Sequence, residues 1–310
     1  MEETVGKTGD SLQTNWPALA VCPNGRVASA FAVDSASTIS PAGEDAMLSP
    51  SGVPRLVRMT FDEYIEELRQ DTNVSAHIEL DRDKEVQYMR DSQFRFKRIA
   101  AAIPASPTPL RILDIGTTPF TLFLKQSRPQ DDVWTLDRTE LLAERCRQAG
   151  VELRACNLDD ARLPFADEMF DVIVFTEVLE HVFAPPSEVL REVHRVLRPN
   201  GVLIMGVPNI ARLSQRVKML LGRSPLEPAD HQLNRDWVHG HGHIHEYTRG
   251  EIMRLCLAVG FRELRSEMLS ASPCDMLQGR RRFALGQFGY DLVTYFVPGW
   301  RSYIHLKCRR

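Results

Sequence analysis

Glu177, Glu180 and His181 stand at positions i, i+3 and i+4 of one short segment. On a helix these positions share a face, so two carboxylates and an imidazole would converge there. Further along, His239, His241, His243 and His245 alternate with Gly240, Gly242 and Ile244. In an extended segment all four histidines would point to the same side. A set of this composition can take up a proton or hold a cation. His181, His243 and His245 are the candidate general bases. A purely structural alternative stays open: His181 hydrogen-bonded locally and the Gly-His alternation a loop. A second set of acids lies upstream. Asp114 precedes Gly116 at the end of an apolar run, and Asp137 follows Asp114 by 23 residues (137 − 114). An acid roughly 20 residues beyond such a turn, at the end of the second strand, can accept both hydroxyls of a ribose. A solvated loop acid or helix cap is the competing role for Asp137, because Arg138-Thr139-Glu140 follows.

These groups need a frame, and the chain supplies one from Leu110 onward. Strands are expected at Arg111–Ile115, Val133–Leu136, Glu152–Ala155, Asp171–Phe175, Val202–Val207, Arg262–Ser266 and Tyr303–Lys307. Helices are expected between them at Phe120–Lys125, Glu140–Gln148, Ser187–Leu197, Ala211–Leu221 and Arg249–Val259. The unbroken apolar runs Val172-Ile173-Val174-Phe175 and Val202-Leu203-Ile204-Met205 imply strands buried on both faces. Strand–helix alternation then gives an α/β fold: a Rossmann-like, doubly wound, mostly parallel seven-stranded sheet with helices on both faces. Its ligand crevice lies beyond the carboxyl ends of the strands.

The N-terminal part differs. Residues 1–54 are rich in Ser, Ala, Pro, Gly and Thr without a sustained period, and are expected to form a disordered leader. Residues 55–105 are expected to form a helical extension of two helices covering the pocket opening. Phe61, Tyr64, Ile65 and Leu68 recur there at helical spacing. Residues 106–310 form the ligand-binding domain, with insertions at about 209–247 and 270–300.

Leu113-Asp114-Ile115-Gly116 at the end of the first strand resembles motif I of the class I S-adenosylmethionine-dependent methyltransferases. The order that follows is similar to the rest of that core: Asn157-Leu158-Asp159-Asp160, Leu163-Pro164-Phe165, Phe170 to Val174, Val178 to Val182, Arg195 to Gly201, and Pro208-Asn209. The resemblance covers about residues 108–268 and implies S-adenosylmethionine as cofactor. It departs at the loop, where Thr117, Thr118, Pro119 and Phe120 replace the family's further glycines and Thr117 or Thr118 hydroxyls would serve as donors. The family pattern implies Asp114, Gly116, Thr117, Thr118 and Asp137 around the donor nucleoside. It also implies Asn157, Leu158 or Asp159 beside the adenine, with a turn role for Asp159 equally open. Thr176 and Glu177 would flank the methionine part.

The Glu-x-x-Glu-His spacing resembles two metal-dependent O-methyltransferase groups, the small-RNA 3′-terminal enzymes and those of the ubiquinone pathway. That likeness implies a divalent-metal set of Glu177, Glu180, His181 and His245, with His243 as the other candidate fourth ligand. Two carboxylates and two imidazoles suit Mn²⁺, Fe²⁺ or Zn²⁺ better than Mg²⁺.

Composition narrows the function. The 310 residues carry a net charge of −3, so a chain built mainly to hold nucleic acid is not expected. Six scattered cysteines without a Cys-x-x-Cys pair suggest neither a disulfide framework nor a zinc cluster. No signal peptide or membrane-spanning run is apparent, and a cytoplasmic location is expected. The apolar stretch Phe283 to Trp300 is open to a lid, core or membrane-surface role. Arg212, Arg216, Lys218, Arg223 and Arg235 could meet an acidic group on an acceptor or form a solvated helix face. The expected activity is O-methylation of a small-molecule, glycan or lipid-linked hydroxyl. N- or C-methylation and a catalytically silent cofactor-binding protein are the alternatives. A nicotinamide dehydrogenase fits poorly, because its glycine fingerprint is absent.

Overall fold

The central apolar runs have no polar face to give to water, and their burial is the basis of the architecture. In the computed structural model, which describes residues 59–70, 82–226, 242–270 and 284–310, Val172, Ile173 and Val174 are all wholly buried. Their strand β4 (Phe170–Thr176) pairs in parallel with β1 (Arg111–Ile115) on one side and with β5 (Leu197–Pro208) on the other. β1 continues to β2 (Asp132–Asp137) and then to β3 (Glu152–Ala155), again in parallel. Beyond β5 lie β7 (Tyr303–Arg309) and the edge strand β6 (Arg262–Leu269), in antiparallel pairing. The order is therefore β3-β2-β1-β4-β5-β7-β6. The direction of strand progression reverses between β1 and β4, so a crevice opens beyond their carboxyl ends.

Alternation along β4 divides the core in two. Ile173 and Phe175 face one cluster with Val189, Leu190 and Val193 of α5 (Pro186–Val196) and Ile252 of α7 (Arg249–Val259). Val172 and Val174 face the other. That second cluster takes in Phe61, Tyr64 and Ile65 of α1 (Phe61–Gln70) and Met89, Phe96 and Ile99 of α2 (Arg82–Ala102). The N-terminal helices are thus built into one layer of the sheet's packing. Phe96 stacks on Phe120 with centroids 4.6 Å apart and planes 11° apart.

The expected strands all form, several of them longer than expected. β5 starts at Leu197 rather than Val202, extending back through Arg198 to Gly201. α3 (Pro119–Ser127) is fixed at its start by a reciprocal cap: Thr118 and Thr121 each accept from the other's backbone N–H. α4 (Ala143–Gln148) begins three residues later than expected, with no side-chain cap at Leu142. α6 covers Leu213–Leu220. A helix α8 spans Ala284–Phe296 despite Gly286 and Gly289; each interior glycine costs roughly 1 kcal/mol against alanine. The expected leader over residues 1–54 lies outside the described residues, as do residues 71–81, 227–241 and 271–283. No helix among the described residues is long and apolar enough to cross a membrane.

One glycine is required by the sheet's own packing. A Cβ on Gly206 of β5 would stand 1.7 Å from the Tyr303 hydroxyl and 2.4 Å from Cζ. Gly206→Ala is expected to lower unfolding free energy by about 1–3 kcal/mol through overpacking. Chemical denaturation would measure it. In a Tyr303→Ala background the added methyl should cost almost nothing; an equal cost there would show that Tyr303 is not the obstacle.

Candidate functional site

At the mouth between β1 and β4 the chain must turn sharply. Gly116 does so at φ +95°, and a Cβ there would meet Val178 Cγ2 at 2.6 Å. Its N–H bonds the Leu136 carbonyl at 2.8 Å, which holds the loop against β2. Thr117 N–H then donates to Asp137 Oδ2 at 3.1 Å, and Thr139 N–H to Asp137 Oδ1 at 3.1 Å. Asp137 is therefore aimed by two backbone amides at the end of β2.

The structure brings most of the expected nucleoside-site residues into one cavity of about 160 Å³. Asp114, Gly116, Thr117, Thr118 and Asp137 line it from one side, and Thr176 and Glu177 from the other. Asn157, Leu158 and Asp159 are not among its walls. Asp159 Oδ1 instead accepts from the Phe183 and Ala184 amides, at 2.7 and 3.2 Å, and Asn157 Oδ1 accepts from the Asp159 amide. Of the two threonine hydroxyls expected as donors, Thr117 spends its hydrogen within the fold, whereas Thr118 is used there as an acceptor. Thr117 Oγ1 lies 2.9 Å from Thr135 Oγ1, and Thr118 Oγ1 accepts from Phe120 N–H. An adjoining, mostly apolar cavity of about 270 Å³ shares Tyr88, Thr117 and Thr118 and reaches Leu122, Leu142 and Cys146.

Asp114 is wholly enclosed, and burial pushes its carboxyl up to about 7, against which the 2.6 Å bond from Thr121 Oγ1 works only partly. Glu177 follows β4 in the left-handed region at φ +57° and meets Arg95 Nη1 with Oε2 at 2.5 Å.

Three of the lining residues that carry polar groups had escaped the sequence reading: Tyr88, Arg95 and Tyr303. Tyr88, Ser92, Arg95 and Ile99 recur at spacings of four, three and four on α2, so the helical period carried a signal. Tyr303 carried none. It enters from β7, antiparallel to β5, opposite Pro208.

The Glu-His segment folds otherwise than its spacing suggested. Glu177 is left-handed and Leu179–His181 is one 3₁₀ turn, so no α-helical face gathers Glu177, Glu180 and His181. Glu177 turns to Arg95 and lines the cavity described above. Glu180, His181 and His243 do converge, with ligand atoms all within 4.8 Å of one another. His245 does not join them. Its Nε2 meets Glu251 Oε1 at 3.1 Å and its ring packs on Tyr247. His239 and His241 lie outside the described residues.

The convergent histidines are oriented. The Gly242 carbonyl accepts from His181 Nδ1 at 3.0 Å, which places the neutral tautomer's lone pair on Nε2. Glu246 Oε1 accepts from His243 Nδ1 at 2.9 Å, and Arg212 grips both oxygens of Glu246. Burial disfavours the Glu246 carboxylate, but His243 and Arg212 outweigh it and hold its pKa below the usual range. Glu180 is the opposite case. Burial, and then the neighbouring Glu177, push its pKa well up, and both its oxygens are buried without a hydrogen-bond partner. A buried carboxylate left bare in this way is costly. Glu180 with the two oriented imidazoles has the donor chemistry of a divalent-cation site.

Comparison with known proteins bears on the crevice. Residues 113–205 match a family described as a methyltransferase domain. The chain is 31% identical over 113 residues to a ubiquinone/menaquinone biosynthesis C-methyltransferase of Desulfotalea psychrophila, which is 34% of this chain and 45% of that protein. It is 34% identical over 104 residues to a ubiquinone biosynthesis O-methyltransferase of Ruegeria pomeroyi, 32% of this chain and 42% of that one. It is 31% identical over 126 residues to a probable S-adenosylmethionine-dependent methyltransferase of Mycolicibacterium smegmatis, 40% of each chain. The chain thus spans under half the length of each of these relatives. Among solved structures, a methyltransferase of Thermotoga maritima described as a possible histamine N-methyltransferase superposes with a TM-score of 0.49 at 18% identity, over 73% of this chain and 95% of that one.

Proposed function

We infer that the chain, a member of the class I S-adenosylmethionine-dependent methyltransferase family, transfers the methyl group of that sulfonium donor to a hydroxyl oxygen of a small-molecule, glycan or lipid-linked acceptor. The observation that carries this reading is the cavity that gathers Asp114, Gly116, Asp137, Thr176 and Glu177 at the switch point of the sheet. Asp137, steadied by the Thr117 and Thr139 amides, would accept the ribose hydroxyls. Gly116 lets the donor approach the backbone. The methionine end would lie toward Thr176 and Glu177.

Methyl transfer from sulfur is an in-line displacement whose leaving group needs no proton. The protein's work is to align the acceptor oxygen and take its proton. His181 and His243, with ring centroids 4.9 Å apart, stand as the candidate bases. His243 Nδ1–H is held by Glu246, which Arg212 grips in turn, so the orientation of the ring is fixed. His245, paired to Glu251 and half exposed, has no such placement. In the metal-bound alternative the same Nε2 lone pairs, with Glu180, would hold a divalent ion instead of taking the proton, and the ion would supply acidification of the hydroxyl. The metal set is thus proposed with His243 in place of His245 and without Glu177.

Two measurements test the reaction. Incubation with labelled donor and panels of hydroxylated sugars, lipids and quinol-like phenols should give an O-methylated product by mass spectrometry. Exclusively N- or C-methylated products would replace the oxygen assignment, and donor binding without turnover on any acceptor would favour a silent cofactor-binding protein. Chelation should abolish activity, and one divalent ion per chain should restore it; full activity in chelator would leave the histidines as metal-free bases.

Asp114 gives the donor site a pH signature. A carboxyl raised to about 7 from a usual 3.8 binds its proton more tightly in the folded chain than in the unfolded one. Its stabilising effect is complete in acid and is lost as pH rises from about 4 to about 7. The donor's ammonium would favour the ionised form. Affinity for S-adenosylhomocysteine should therefore rise with pH up to about 7 and flatten above. At pH 6 binding should release a proton, seen in calorimetry as a heat that depends on the buffer. Asp114→Asn should remove the effect; proton release persisting in that variant would assign it elsewhere.

A further inference from the structure

We propose that Arg95 is the residue that binds the donor's carboxylate, and that its ion pair with Glu177 is exchanged for one with that carboxylate when the donor enters. The inference deepens the donor reading above and rests on it. The donor ends in an amino acid, so one ammonium and one carboxylate must be accommodated together. Among the described residues lining the cavity Arg95 is the one cation, whereas Asp114, Asp137 and Glu177 are all acids. Asp137 lies at the β2 end, committed to the Thr117 amide. That leaves Arg95 facing Glu177, beside Thr176, where the donor's methionine end would lie.

The pair is not a completed structural bridge. Arg95 Nη1 meets Glu177 Oε2 at 2.5 Å, yet Glu177 Oε1 is buried without a hydrogen-bond partner. A buried ion pair recovers its desolvation cost only when the remaining lone pairs are satisfied. Here one acceptor is left over, and the donor's ammonium is a group that would take it. Entry of the zwitterion would exchange one carboxylate for another at the guanidinium and give Glu177 the ammonium. One ion pair becomes two, and the bare oxygen gains a partner.

Arg95 is held so that it can make this exchange without moving away. Its Nη2 donates to Ser92 Oγ at 2.7 Å, one turn earlier on α2. Its guanidinium carbon lies 5.2 Å from the Tyr303 ring centroid and 5.7 Å from that of Phe96. Those contacts come from α2 and β7 and do not depend on Glu177. The Arg95 side chain is 11% exposed, so the guanidinium is presented to the cavity rather than to bulk water.

The test compares two ligands that differ only at the carboxylate: S-adenosylmethionine and its decarboxylated form. Both keep the nucleoside, the sulfonium and the ammonium. Calorimetry on the full chain should show that Arg95→Met weakens S-adenosylmethionine about 30-fold or more. The decarboxylated ligand should bind that variant as tightly as it binds the wild type, or more tightly, because Glu177 no longer has Arg95 to pair with and is left to the ligand's ammonium. Equal losses for both ligands would make Arg95 a purely structural residue and overturn the proposal, as would no loss for either. If Arg95→Met does not fold, Arg95→Lys carries the same comparison with a smaller, still selective loss, since a point charge replaces the two-pronged guanidinium. A wild-type chain that binds neither ligand would overturn the donor reading itself, an outcome distinct from the others.

Discussion

Replacing Asp137 with alanine is expected to weaken binding of S-adenosylhomocysteine by about 100-fold or more. Two hydrogen bonds to an ionised group contribute roughly 1.5–3 kcal/mol each, and about 1.4 kcal/mol corresponds to a factor of ten. Alanine would remove both of the bonds proposed to the ribose. It also releases the Thr117 amide, 3.1 Å from Oδ2, from the acid that fixes the loop after Gly116. Asp137→Asn separates the two effects. It keeps a carbonyl oxygen for the loop and loses the charge and one acceptor, so its loss should be intermediate. Calorimetric titration reads both. Asp137 is part exposed and outside the packed clusters, so the melting temperature should change little. Unchanged affinity in Asp137→Ala would return this residue to the loop-acid role that its sequence context also allowed.

The second large effect falls on stability. Phe120 is 1% exposed and sits where three parts meet. It stacks on Phe96 of α2, lies 5.9 Å from Phe123 of its own helix α3, and lines the cavity between β1 and β4. Phe120→Ala should cost about 3–5 kcal/mol, because the rigid sheet behind it cannot collapse into the space. For a domain of this size that corresponds to roughly 10 °C in melting temperature. The loss should also be uneven. Amides of α2 should exchange with solvent faster than those of β4 and β5, because α2 loses its stacked partner while the central sheet keeps its own packing. A loss below about 1 kcal/mol, or uniform exchange, would contradict the packing of α2 as part of the main core.

The sheet was legible because its signals are local. Val172 to Phe175 and Val202 to Met205 are apolar on every residue, which only a strand covered on both faces tolerates. The crevice followed from the same pattern, since Asp114, Gly116 and Asp137 all sit at strand ends. The Glu-His segment was misjudged for an equally physical reason. Spacing i, i+3, i+4 assumes an α-helix, and the left-handed Glu177 with a single 3₁₀ turn breaks that periodicity. The convergence of Glu180 with His181 and His243 depends instead on a distant loop, tied down where the Ile244 amide bonds the Glu180 carbonyl at 2.7 Å. Likewise Asp159 is drawn to the amides of Phe183 and Ala184, a contact across 24 and 25 residues that no local pattern announces. Tyr303 reaches the cavity only through the antiparallel register of β7 on β5.

A crystal structure grown with excess S-adenosylhomocysteine tests the account most directly. The nucleoside should lie at the switch point between β1 and β4, with its ribose hydroxyls on Asp137 and its amino-acid end between Arg95 and Glu177. Electron density for the ligand elsewhere, or an intact Arg95–Glu177 pair with no ligand in the cavity at saturating concentration, would contradict the claim that this cavity is the donor site.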